Sequence, residues 1–185
     1  MSINTVINFI GFQSVWLISV FSAANAYPWA GPLAVICWLA VHLYLNKNDI
    51  FLESMLVLFA ASMGYLLDSI LVLTSVISFP SEAQLGYLSP LWMVALWINL
   101  ATTVRHSLDW LNNRYKLMTL FGGVGGVMAY WAGVKIGAIL IPDLALGLFV
   151  VFSVWCVALP LLYMFANKLS ERINADVTTG SQQNA

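Results

Sequence analysis

Six apolar runs, each close to the roughly 20 residues an α-helix needs to cross a bilayer core, follow one another with short connections. They cover about Thr5–Ala24, Pro28–Leu45, Ser54–Ile77, Leu91–Leu111, Leu117–Ile141 and Leu144–Ala166. Short connections make sequence neighbours antiparallel. Charged residues are only 8% of the chain, against about a quarter in a soluble domain. The expected fold is therefore all-α, a bundle of six transmembrane helices over residues 1–167. A polar, flexible tail is expected over residues 168–185.

The basic residues orient this bundle. Lys47, Arg114, Lys116, Lys168 and Arg172 all fall in alternate connections or after the last run. The other connections hold Glu82 and Asp143 but neither Lys nor Arg. By the positive-inside rule both termini are cytoplasmic. Pro28, Pro32, Pro80, Pro90 and Pro142 sit at the outer turns, where a missing N–H matters least. Pro160 alone lies within a run, where a kink is expected. Tyr27, Trp29, Tyr87 and Trp92 mark an outer aromatic belt, and Tyr44, Trp110, Tyr115 and Tyr163 an inner one.

Ala24-Asn25-Ala26 resembles a signal-peptide cleavage site. No Lys or Arg precedes it, so the positive leader region is missing and a retained first helix is expected. Cys37 and Cys156 lie deep in apolar runs and read as apolar fillers. The net charge of −1 leaves no basic surface for nucleic acid. The halves show no convincing inverted repeat.

In the fifth run Gly122, Gly126, Ala129, Gly133 and Gly137 share one helical face. Such a stripe lets another backbone approach closely. Packing within the chain is the plain reading. A homodimer face through Gly122–Gly137, or a groove for a lipid chain, is the sharper one.

Ionisable groups inside a bilayer are unfavourable by roughly 2.5–3.5 kcal/mol each. Asp68 is expected about 21 Å, and Lys135 about 27 Å, from the inner end of their helices, so an ion pair between them is expected. Lys135 snorkelling to the outer surface unpaired is one alternative, and Asp68 as a proton or cation site is another. The fourth run puts Asn99, Thr102, Thr103 and His106 on one face, and Arg105 can pair with Asp109 four residues on. Asn8, Gln13, His42 and Glu53 belong to the same inner layer as Arg105 and His106. That layer is either a site or hydrogen-bonding glue between helices.

His42, His106 and Glu53 are the minimum set for a catalytic zinc. Without HExxH, CxxC or a His pair four apart, neither a metal nor another cofactor is expected. GxSxG is absent as well. Arg105 with His106 as acid/base could still serve head-group chemistry.

The segments NFIGFQSVW, GYLLDSIL, PLWMVALWINLATTVRHSLDWL and GGVGGVMAYWAGVKIGA together resemble a bacterial inner-membrane family, the one catalogued as domain of unknown function 2878. The resemblance runs from the first helix to the fifth and is weakest in the sixth. Val127 stands where the family's Gly-Gly-Pro implies a Pro. The resemblance implies a multi-pass inner-membrane protein and marks Asn8, Gln13, Asp68, Trp97, Thr103, His106, Tyr130 and Gly133; it brings no activity.

The function expected first is binding of a lipid-like or small amphipathic molecule in a polar intramembrane cavity. A proton-coupled transporter using Asp68, a membrane enzyme acting on lipid head groups, and a non-catalytic partner subunit are the alternatives. The ligand candidates are Asp68, His106, Arg105, Asn99, Thr103, Gln13, His42, Tyr130 and Lys135.

Overall fold

The computed structural model describes residues 3–183, with side chains described over residues 3–175. Six α-helices are present among them: α1 (Ile3–Ala24), α2 (Ala30–Leu45), α3 (Ile50–Leu73), α4 (Leu91–Val104), α5 (Tyr115–Ile136) and α6 (Leu144–Gln183). Among the described residues, extended structure is limited to a single bridge, in which Ser78 and Leu140 exchange backbone hydrogen bonds of 2.8 Å. It ties the loop after α3 to the loop after α5.

Four helices are long and apolar enough to cross a membrane: α1, α3 with its leading turn, α5 and α6. The other two are shorter. α2 has 16 residues and α4 has 14, or about 24 and 21 Å at 1.5 Å per residue.

α4 is the centre of the bundle, packed against α1, α2 and α3, and it touches α6 over a small area through Trp97. α1 also pairs with α2, and α5 with α6, while α1 and α5 barely meet. Two wide side chains build the middle. Trp97 of α4 and Trp155 of α6 stack with ring centroids 4.5 Å apart and planes 8° from parallel. Each indole lies against a glycine. A Cβ on Gly64 would stand 2.0 Å from Trp97 Cγ, and one on Gly126 would stand 2.3 Å from Trp155 Cγ. Any side chain at Gly64 or Gly126 would thus force the neighbouring layer apart.

The expected helix boundaries fail at four places. α3 begins at Ile50 and ends at Leu73, where Ser75 turns the chain with φ +57°. α4 ends at Val104, not near Leu111, because the Thr103 carbonyl accepts the N–H groups of both His106 and Leu108 and tightens the chain out of the helix. α5 ends at Gly137, whose φ of +91° terminates the helix in the left-handed region. α6 passes through Pro160 and continues to Gln183, beyond the end of the apolar run. The polar segment expected as a tail is therefore helical in backbone as far as it is described. Residues 184–185 lie outside the described residues.

The aromatic belts and cysteines also need correction. Trp92 is fully buried and donates its indole N–H to the Ala83 carbonyl at 3.0 Å. Tyr163 is buried and donates its hydroxyl to the Leu108 carbonyl at 2.7 Å. Both pin loops to the core. Tyr27, Trp29, Tyr87, Tyr44, Trp110 and Tyr115 are exposed. Both cysteines are free, and Cys37 is exposed on α2, not buried.

The glycine stripe divides. Gly122 and Gly126 face Trp155 and Leu159 of α6, which is packing within the chain. Gly133 is covered by Ile139, and Gly137 is the helix terminator.

Candidate functional site

Glu53 organises the first polar centre. It lies in the first turn of α3, at the end of the bundle where α2 and α4 finish, and is fully buried. His42 near the end of α2 places Nε2 3.1 Å from Glu53 Oε2. His106, just past α4, places Nε2 3.1 Å from Oε1. Arg105 donates from Nη1 to the same Oε1 at 2.7 Å and from Nη2 to Asp49 at 3.2 Å.

The early end of α4 makes this convergence possible. Consecutive residues of a continuous helix point about 100° apart, yet Arg105 and His106 meet on one oxygen. The two histidine rings stand edge to face with centroids 4.9 Å apart. The expected Arg105–Asp109 pair does not form, because residues 105–108 turn out of the α-helix and Arg105 reaches Glu53 and Asp49 instead.

A polar lattice surrounds this centre. Asn8 of α1 donates to the Thr102 carbonyl at 2.8 Å and accepts from the Ser107 hydroxyl at 2.6 Å. Trp38 of α2 donates to Thr102 Oγ1 at 3.1 Å. Asn99 reaches the Phe12 carbonyl at 2.9 Å, and Thr103 donates to Leu100 O within its own helix. Asn99 and Thr103 thus bind helices and backbone together and stay outside the Glu53 cluster.

Asp68 forms a second, separate centre. It is buried on α3 and accepts from Trp97 Nε1 at 2.9 Å and from the Tyr130 hydroxyl. Its expected pair with Lys135 does not form: Lys135 Nζ lies over the Trp131 ring, 5.6 Å from its centroid. Two neutral donors therefore satisfy the carboxyl, and the cation leaves along its own helix face.

The third feature is a cavity of about 480 Å³ between α1 and α5, floored by α4 and α6. Its wall is mostly apolar, with Phe12, Trp16, Met128 and Trp155 among its residues. Gly125 and Ala129 border it, and Gly125 has open space where a Cβ would point. Trp97 and Tyr130 belong to the same wall, so Asp68 fixes two of its side chains from behind. The polar members are few, Gln13, Thr103 and Ser107 among them.

Of the residues expected to form one layer, His42, Glu53, Arg105 and His106 meet, Asn8 joins them through Ser107, and Gln13 lines the cavity instead. Asp49 was missed. Its spacing of four from Glu53 was the available signal, since i and i+4 share a helix face. Trp38 and Trp155 were missed too, since nothing local separates a core tryptophan from an interfacial one.

A family model described as a protein of unknown function (DUF2878) matches residues 5–161. No curated protein and no solved structure matches the chain.

Proposed function

We propose, from the premise that the chain belongs to this family of proteins of unknown function (DUF2878), that it is a six-span inner-membrane protein which draws a lipid chain out of the bilayer into the groove between α1 and α5. The observation that carries this reading is the groove. It is mostly apolar, about 480 Å³, and flanked by two helices long and apolar enough to cross a membrane. Its volume is in the roughly 300–1,000 Å³ range of sites that hold small molecules. An apolar cleft opening sideways between such helices meets hydrocarbon before it meets water.

The wall favours an amphipathic guest. Gln13, Thr103 and Ser107 lie on its side nearer the Glu53 centre, where they offer hydrogen bonds to a head group or ester. The stacked Trp97–Trp155 pair gives the chain a flat apolar floor.

The large apolar side chains on the outside, such as Leu66, Leu73 and Phe149, support immersion of the whole bundle. α4 serves as a short span because its neighbours are protein, and α2 lays Leu33, Ile36 and Val41 on the outside. Irregular backbone at membrane depth is tolerated where it is buried in protein, and the turn after α4 packs against α1 and α3 through Asn8 and Glu53. The sorting of Lys47, Arg114, Lys116, Lys168 and Arg172 supports cytoplasmic termini.

Gly125→Trp tests the reading. A Cβ at Gly125 meets nothing within 4 Å, so the new side chain starts from open space on the groove wall. Native mass spectrometry of the purified protein is expected to show a bound lipid on the wild type and its loss from the variant. Equal lipid on both, or none on the wild type, would overturn the groove as a binding site.

A further inference from the structure

We propose that His42, Glu53 and His106 form a binding site for one divalent transition-metal ion of the zinc class, with a coordination position left open. One ligand atom from each residue lies within 4.8 Å of the others. The residues come from α2, α3 and the turn after α4, so only the folded chain brings them together. Both imidazoles direct Nε2 at one carboxylate, each at 3.1 Å. Zinc bonds of about 2.0–2.2 Å to nitrogen and oxygen separate tetrahedral donors by about 3.3–3.5 Å. The two contacts reach different oxygens, Oε2 and Oε1, so the present spacing needs a shift of a few tenths of an ångström there and up to about 1.4 Å across the widest pair of the three ligand atoms, which lie within 4.8 Å of one another.

The chemistry of the set agrees. Two histidines and one glutamate are the protein ligands of one class of catalytic zinc, which keeps its fourth position for water or substrate. A carboxylate has about four lone-pair directions, so Glu53 can keep its bond from Arg105 while it ligates. Arg105 is then a supporting partner that orients the ligand, as hydrogen-bonded carboxylates around metals are oriented. Asp49 balances the guanidinium charge. An entry route exists, because the side chains of His106 and Arg105 keep 22% and 27% of their exposure while Glu53 is sealed.

Without a metal the same contacts are a hydrogen-bonded ion cluster, in which each Nε2 carries a proton and donates to the carboxylate. A metal would take each Nε2 in place of that proton, and each neutral ring would then carry its proton on Nδ1. The inference is independent of the lipid groove, and the two can fail separately.

The test uses the full chain in detergent, stripped with a chelator and then given Zn²⁺ or Co²⁺ alone. The expected result is about one ion per chain and, for cobalt, the visible absorption of a four-coordinate site. His106→Gln can still donate to Glu53 and so preserves the cluster's hydrogen bonding, but it is expected to lower affinity by about tenfold or more. His106→Cys, which restores a ligand, is expected to recover binding with an altered cobalt spectrum. Glu53→Gln is the second loss variant, and its thermal unfolding shows whether it folds. If the wild type takes up no ion, or if His106→Gln and a folded Glu53→Gln bind as well as the wild type, the site does not exist and any metal is adventitious.

Discussion

Glu53 and Arg105 are 52 residues apart in the chain and 2.7 Å apart in the structure. The carboxylate is fully buried, while the guanidinium is partly exposed and has a second partner in Asp49. Removing Arg105 and removing Asp49 should therefore have unequal effects. Losing one partner of a buried pair is unfavourable by about 3–5 kcal/mol, and an exposed pair contributes about 0–1 kcal/mol. Arg105→Ala is expected to fall toward the lower end of the first range, since the histidines still face Glu53. Asp49→Asn is expected to fall in the second range. Chemical unfolding in detergent with a chelator present compares them, and equal losses would contradict the assignment of Glu53 as the buried member.

The Trp97–Trp155 stack makes a steric prediction. Gly64→Ala and Gly126→Ala each place a methyl group against an indole, and overpacking of this kind destabilises by about 1–3 kcal/mol. Gly125→Ala meets no neighbour and is expected to be neutral or mildly stabilising. Melting temperatures of the three variants should separate accordingly.

Asp68 is held by Trp97 and Tyr130, with Lys135 elsewhere. Tyr130→Phe removes one donor from a buried acceptor, an effect of about 1–3 kcal/mol. Lys135→Ala should change stability by less than about 0.5 kcal/mol, as is usual away from buried features. A large loss for Lys135→Ala with little for Tyr130→Phe would restore the ion pair that the helix depths imply.

Cys37 gives a label for α2 without any substitution. It is exposed on the bundle, so immersion in lipid should leave it unmodified by a charged maleimide in intact membranes. The thiolate that reacts does not form in hydrocarbon. After unfolding in strong detergent both cysteines should react. Full modification of Cys37 in intact membranes would place α2 in water.

Helix number and the meeting of His42, Glu53, Arg105 and His106 were legible in the sequence because both rest on periodicity and position along each run, which a chain displays locally. The end of α4 was not. WINLATTVRHSLDWL has no Gly or Pro to stop a helix, and the turn exists because Arg105 and His106 gain a common partner on α3. Trp92 and Tyr163 were misplaced for a similar reason: near a helix end an indole or phenol serves a lipid interface or a buried carbonyl equally well. Motif spacing argues against a zinc-type set in this chain. Such spacing detects ligands only when two share a helix, whereas His42, Glu53 and His106 come from three separate segments.

Photo-crosslinking with a diazirine fatty acid, followed by peptide mapping, tests the lipid groove most directly. The account predicts labels concentrated on Phe12, Trp16 and Met128, the groove wall of α1 and α5, and their loss in Gly125→Trp. Labels spread as densely over Leu66, Leu73 and Phe149 on the outer surface, and unchanged in the variant, would contradict it.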